Sequence, residues 1–192
     1  MKKITAIIAL ALLATTTPVL AGSLVGEVRL GDIRGGHDKS TEYKFEYTDA
    51  AAGFLYGAEL QVSQKANEGD LKSKLSVRGG VDIPEVFGFR PVVFGELGRG
   101  LEAGNNGYFW GINGGISRTV YGPVSVNVGA RRRQNFDFVQ GEKFVEDRGN
   151  VGVRYSVSKD TALGVQYYNY IGGMFGGNVN RQEVGIQLVR SF

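Results

Sequence analysis

The residues with the most recognisable catalytic chemistry lie close together near the start of the chain. His37 is the single histidine of the sequence, and Asp38 and Ser40 follow it. A serine, a histidine and an acid can form a nucleophilic catalyst when the fold aligns them. The glycines and charged residues around His37 predict an exposed loop, so we interpret it as a solvated loop residue. We therefore predict no catalytic residues and no enzymatic activity.

Other catalytic and cofactor chemistry has no support in the sequence. Cysteine is absent, which removes thiol nucleophiles and thiolate metal sites. One histidine cannot form a histidine-rich zinc site, and the glycine motifs that bind nucleotides do not occur. The formal net charge of +3 is small and includes Lys2 and Lys3, so it gives no reason to expect nucleic-acid binding. We predict no metal, no cofactor and no nucleic-acid partner.

Charged and polar residues instead alternate with apolar ones along most of the chain. The segment from Pro123 to Arg131 places its valines on one parity and Ser125, Asn127 and Arg131 on the other. A period of two indicates β-strands that have one apolar and one polar face. Similar segments predict about ten strands, which cover approximately residues 23–33, 42–50, 54–65, 71–82, 89–99, 107–120, 123–135, 148–158, 161–171 and 181–192.

The first residues have the layout of a targeting segment. Met1-Lys2-Lys3 is basic, Ile4 to Leu13 is an almost unbroken apolar run, and small or modest side chains precede Gly22. This arrangement is typical of a secretory signal peptide. The apolar run is shorter than the roughly 20 residues that a membrane-spanning helix needs, which argues against a retained anchor. We predict a signal peptide over residues 1–21 and one domain over residues 22–192.

The C-terminal segment carries a family resemblance. Val184, Ile186, Leu188 and Phe192 share one parity, and Phe192 ends the chain. The segment resembles the last strand of bacterial outer-membrane β-barrels, whose terminal aromatic residue is read by the barrel-assembly machinery. Arg190 departs from the pattern, because that family usually has an aromatic or apolar residue there. The resemblance implies that Phe192 is an assembly signal and that the assembly machinery is a partner.

These segments predict an all-β fold: a closed, antiparallel, up-and-down transmembrane β-barrel of about ten strands, with 8 or 12 as alternatives. Tight turns at 49–53, 121–123 and 158–160 alternate with longer connections at 34–41, 66–70, 100–106, 134–147 and 172–180. Such asymmetry is typical of outer-membrane barrels whose termini are periplasmic. Outer-membrane lipid and lipopolysaccharide would then contact the apolar face. A soluble periplasmic β-sandwich or calycin-like barrel remains the alternative, with the apolar face turned inward.

The polar face of the predicted barrel defines the candidate site. Parity turns many charged residues toward the lumen, including the acids Glu27, Glu46, Glu59 and Glu183. We expect excess positive charge on the later strands, where Arg131 and Arg133 would lie near Arg154, while Lys74 and Arg78 would lie near Arg90. The predicted pore-lining residues are Arg29, Lys44, Lys74, Arg78, Arg90, Glu96, Arg131, Arg133 and Arg154.

Three functions are compatible with such a lumen. In its basic lumen residues and the periodic tyrosines of its strands, the chain resembles the small monomeric porins for acidic oligosaccharides, such as the oligogalacturonate-specific ones. This resemblance implies an outer-membrane channel for passive diffusion of small anionic solutes. If the charges pair with one another, the barrel would instead be a non-conducting structural or surface-interaction protein. A lipid-modifying outer-membrane enzyme is the third possibility, although no motif of such enzymes surrounds His37.

Overall fold

The protein forms one closed β-barrel. The structure is a computed structural model that describes residues 22–33, 39–65, 71–100, 107–136, 145–171 and 181–192. Ten antiparallel strands follow one another around the ring, and the first pairs with the last. They are β1 (Ser23–Ile33), β2 (Lys39–Ala51), β3 (Phe54–Lys65), β4 (Leu71–Asp82), β5 (Arg90–Gly100), β6 (Tyr108–Tyr121), β7 (Val124–Asn135), β8 (Val145–Ser156), β9 (Thr161–Ile171) and β10 (Arg181–Ser191). The predicted barrel and its strand count are confirmed.

Several strand ends differ from the predicted ones by one to three residues. β2 begins at Lys39 and β8 at Val145, within segments predicted as loops. At these ends the backbone ladder continues, with Ser40 opposite Lys65 and Val145 opposite Gln134. Polar side chains do not prevent pairing when a partner strand supplies the hydrogen bonds, so composition alone placed these boundaries too far along the chain.

The two faces of the barrel have opposite chemistry. In β9, Leu163 and Val165 are about half exposed on the outside, whereas Gln166 and Tyr168 are buried inside. The same alternation runs through β10, where Ile186 is exposed. A soluble barrel or sandwich would bury its apolar face and expose its charges. The observed orientation is the one that a barrel surrounded by lipid requires.

Gly22, the first described residue, and Phe192 lie at the end of the barrel that carries the tight turns. The Phe192 amide donates to the Gly22 carbonyl at 2.9 Å, and the Ser191 amide donates to the Asp160 carbonyl at 2.8 Å. Ala52 and Gly53 have φ values of 52° and 83°, which suit the two central positions of a type I′ hairpin turn. We call this end the turn side and the opposite end the loop side. Among the described residues, no helix is long and apolar enough to cross a membrane.

The outward apolar face predicts a depth-dependent response to charge. Val165, which lies near the middle of β9, should tolerate arginine poorly because the charge would enter hydrocarbon. We expect Val165→Arg to lower the free energy of unfolding by about 2–4 kcal/mol. Denaturant unfolding of the protein in lipid vesicles measures this change.

Val157→Arg is the matched control, because Val157 is also exposed but lies beyond the end of β8 at the turn side. Near the interface the expected cost is about 0–1 kcal/mol. If both substitutions lowered the free energy of unfolding equally, the outer face would not contain a lipid-facing apolar band.

Candidate functional site

A layer of ion pairs crosses the interior of the barrel. Arg133 on β7 donates to Glu59 and Gln61 on β3, each at 2.7 Å, and also to Glu96 on β5. Arg131 donates to Glu59 at 3.2 Å and to Glu146 at 3.3 Å. Because three strands separate β7 from β3 around the ring, these bonds span the lumen. We call Glu59, Gln61, Glu96, Arg131 and Arg133 the cross-barrel layer.

Local sequence explains how this layer is accommodated. Arg131 and Arg133 share one parity on β7, so both side chains point inward. Gly111 on the intervening strand β6 leaves room for the Glu96 carboxylate, since a Cβ there would lie 2.5 Å from its Oε1 atom. The Phe109 ring lies beneath the Arg133 guanidinium, 4.8 Å from its carbon atom. This cation–π contact adds attraction where water is excluded.

A second buried cluster joins β1 to β2 and β9. The Arg29 side chain has no solvent exposure and pairs with Glu27 at 2.8 Å and with Glu42. Arg29 also donates to the Tyr170 hydroxyl at 3.1 Å, and its guanidinium lies 4.1 Å above the Tyr168 ring. A buried charge needs such compensation, because its own desolvation is costly.

Two further cations lie toward the turn side. Lys44 bridges Glu27 at 3.2 Å and Glu46 at 3.0 Å. Arg78 pairs with Glu46 and donates to the Thr48 hydroxyl at 3.0 Å. Both cations therefore have partners, although they lie beside open space.

That open space is a cavity of about 260 Å³, which we call the turn-side cavity. Neutral amides form one wall, where Gln166 donates to Asn127 at 2.8 Å and accepts from Asn150 at 3.3 Å. Its charged lining residues are the cations Lys44, Arg78, Arg90, Arg148 and Arg154 and the acids Glu46 and Glu59. Basic residues therefore outnumber acidic ones in the lining, although Lys44 and Arg90 also pair with Glu27 and Asp82, which are outside it.

The structure brings most predicted site residues into the interior. Lys74 and Arg154 are half-buried, whereas Arg90 lies at the turn-side mouth, with its side chain 64% exposed and paired with Asp82. Arg90 therefore lines the mouth of the turn-side cavity and does not lie deep in the interior. The predicted residues that are buried in the interior are Arg29, Lys44, Arg78, Glu96, Arg131 and Arg133.

The predicted basic clusters differ from the observed register. Arg131 lies opposite Arg148, and Arg154 lies opposite Ser125. Arg78 lies opposite Glu96, so it does not lie beside Arg90. Both expected neighbourhoods were wrong, because register depends on strand ends that parity alone does not determine. Acids from β3 and β5 also reach across the lumen and neutralise much of the charge of β7.

Sequence reasoning missed several interior residues. Glu42 lay at the first position of a predicted strand and was not assigned to the lumen, and Glu146 lay within a predicted loop. Tyr168 and Tyr170 share parity with Gln166, and this signal could have identified them as inward. The missed residues that are buried are Glu42, Phe94, Phe109, Glu146, Arg148, Tyr168 and Tyr170.

Other predictions concern the ends of the chain and the loops. Phe192 is 44% exposed. The predicted signal peptide and His37 lie outside the described residues. Within the described part of the chain, no group of three or more histidine, cysteine, aspartate or glutamate residues is arranged to hold a metal ion.

Comparison with known proteins gives structural matches only. No family model matches the chain, and no curated protein matches its sequence. LpxR from Salmonella typhimurium is similar, with a TM-score of 0.53, 10% identity, and coverage of 92% of this chain and 86% of that one. The translocator domain of the autotransporter NalP from Neisseria meningitidis has a TM-score of 0.50, 8% identity, and coverage of 100% and 96%. The KdgM porin has a TM-score of 0.49, 13% identity, and coverage of 88% and 99%.

At these identities the similarity concerns the fold. The chain has the closed antiparallel barrel architecture of outer-membrane β-barrel proteins, as its C-terminal strand and alternating segments predicted.

The shared Glu59 carboxylate predicts a large effect on stability. Glu59→Gln would remove a carboxylate that pairs with both Arg131 and Arg133, and the buried positive charge of the two arginines would then be less well compensated. We expect the free energy of unfolding to fall by about 3–5 kcal/mol, the usual result of removing one partner from a buried ion pair. Denaturant unfolding in detergent measures the change.

Asp147→Asn is the control for this substitution. Asp147 pairs with Arg132 at 3.7 Å on the exposed outer face. Removing an exposed pair should cost less than about 1 kcal/mol. Similar costs for both variants would show that the cross-barrel layer is hydrated and weak.

Proposed function

We propose that the protein is a small outer-membrane channel of the porin type, which allows passive diffusion of small anionic solutes. The apolar outer face supports a membrane location, because a closed barrel satisfies its backbone hydrogen bonds without water. The polar interior supports a solute path, because charged walls retain water in a way that an apolar core does not.

The turn-side cavity is the observation that carries this proposal. Five cations and two acids line its 260 Å³, including Arg154 near the mouth and Lys44 deeper in. An excess of charge of one sign in a low-dielectric cleft concentrates ions of the opposite sign. Anions should therefore enter the cavity more readily than cations.

The cross-barrel layer favours a second candidate function, a non-conducting structural or surface-interaction barrel. Arg133 is only 1% exposed, and its bonds to Glu59 and Glu96 occupy the middle of the lumen. Conduction requires these side chains to move aside or solutes to pass between them. If the barrel conducts, its channel is therefore narrow and excludes large solutes.

The same proposal orients the barrel in the membrane. The termini and tight turns would lie in the periplasm and the longer connections outside the cell, as in other outer-membrane barrels. Lipid and lipopolysaccharide would cover the apolar face. The exposed ring of Phe192 would remain accessible to the barrel-assembly machinery.

Ion selectivity tests the channel directly. In a planar bilayer under a salt gradient, we expect small conductance steps and a reversal potential of anion-selective sign. Arg154→Glu should shift selectivity toward cations, because it reverses one charge at the cavity without breaking an ion pair to any described carboxylate.

Arg190→Glu is the matched control, because Arg190 lies at the same end of the barrel on the outer face and donates to Thr161. It should leave selectivity unchanged. Absence of conductance in the unmodified protein would favour the non-conducting candidate. If the protein conducts and Arg154→Glu leaves the ion selectivity unchanged, the solute path does not pass Arg154.

The orientation has its own test, because the chain lacks cysteine. Gly141→Cys lies in the connection between β7 and β8, and Lys159→Cys lies in the tight turn before β9. On intact cells, a membrane-impermeant thiol reagent should label the first and not the second. After outer-membrane permeabilisation both should react, and the reverse pattern would invert the topology.

A further inference from the structure

Arg148 on β8 differs from the other buried arginines of the interior. It is 6% exposed, and its Nε and Nη1 atoms are buried without a hydrogen-bond partner. It forms no ion pair with any described carboxylate. By contrast, Arg131 and Arg133 each reach two carboxylates.

The surroundings of Arg148 compensate its charge only in part. Its register partner on β7 is another cation, Arg131, whose nearest carboxylates, Glu59 and Glu146, already pair with it. The guanidinium of Arg148 lies 5.0 Å from the Tyr168 ring centre and 6.0 Å from the Tyr170 ring centre, and these two contacts provide only partial compensation. A buried cation in this condition is stabilised by any anion that can reach it.

The turn-side cavity provides the route. Arg148 lines it together with Asn150 and Gln166, whose amide groups can donate hydrogen bonds without adding charge. Arg154 lines the same cavity closer to the turn side, six residues further along β8. An anion that enters from the turn side therefore meets Arg154 first and Arg148 at greater depth.

We propose that Arg148 is the principal ligand of a binding site for a small oxyanion, either a carboxylate or a phosphate. The planar guanidinium donates parallel hydrogen bonds to two oxygens of either group. Asn150 and Gln166 provide neutral polar contacts, and Arg154 attracts the anion toward the cavity. The site deepens the proposed channel function by giving its lumen a residence position for the permeating anion.

Isothermal titration calorimetry tests the site without relying on conduction. The purified full-length barrel in detergent is titrated separately with succinate and with inorganic phosphate, at constant ionic strength held by sodium chloride. We expect one binding event for at least one probe. Comparison of the two affinities identifies carboxylate or phosphate as the preferred class.

Arg148→Gln should weaken this binding at least about tenfold, because a charge-assisted hydrogen bond is lost. Arg132→Gln is the matched control, since Arg132 lies on the outer face of β7 and its loss removes the same charge. It should bind as the unmodified protein does. Arg148→Lys retains the charge but lacks the planar guanidinium. We expect its affinity to lie between those of Arg148→Gln and the unmodified protein.

The outcomes separate the site from the channel. Lack of binding by the unmodified protein, or equal binding by Arg148→Gln, would overturn the site even if the barrel conducts. Binding that depends on Arg148 in a barrel without conductance would overturn the channel and retain the site. A folded barrel shows a heat-dependent gel shift, and Arg148→Gln is used only if it shows this shift. If it does not, Arg148→Lys is titrated instead, and an affinity equal to that of the unmodified protein overturns the site.

Discussion

The closed hydrogen-bond ladder is the constraint on which the rest of this structure depends. β1 pairs with β10 from Ser23 opposite Ser191 to Ile33 opposite Arg181, so the sheet has no free edge. Closure forces alternate side chains into the space inside the ring. Where the outer face is apolar, the charged residues of the strands must be accommodated in that space. Every charged residue of the interior therefore needs a partner, a hydration shell or a ligand.

The cross-barrel layer shows how partners are found when neighbouring strands do not provide them. The long side chain of Arg133 reaches from β7 to Glu59 on β3 and to Glu96 on β5. One carboxylate, Glu59, serves both Arg131 and Arg133. The energy gained is offset by the desolvation of the ions, so these pairs add less stability than their number suggests. Their loss is nevertheless costly, because the remaining charge cannot reach water. The layer therefore acts more as a determinant of lumen shape than as a source of stability.

The sequence predicts the wall of this barrel far better than its interior contacts. Parity identified Arg29, Arg78 and Arg133 as inward, because a period of two follows directly from strand geometry. It could not identify Glu59 as the partner of Arg133, since that contact joins residues 74 positions apart across a space whose width depends on strand number and tilt. Glu146 was missed for a different reason, because polar residues at a strand end look like a loop. Arg148 was missed as an interior residue although it began a predicted strand, and nothing local distinguishes a paired arginine from an unpaired one.

The interior consequently divides into two regions that use the same chemistry differently. Toward the loop side and the middle, acids and arginines alternate across the lumen, and Arg133 has lost nearly all contact with solvent. Toward the turn side, amides such as Asn127 and Gln166 form one wall, and a cavity remains beside them. Amides can satisfy one another without neutralising a nearby cation, so the positive potential of that region persists. A barrel that served only as a sealed support would gain from an acid opposite Arg148. The presence of Arg131 at that position, with neutral amides nearby, leaves an attraction for anions that the structure itself does not satisfy.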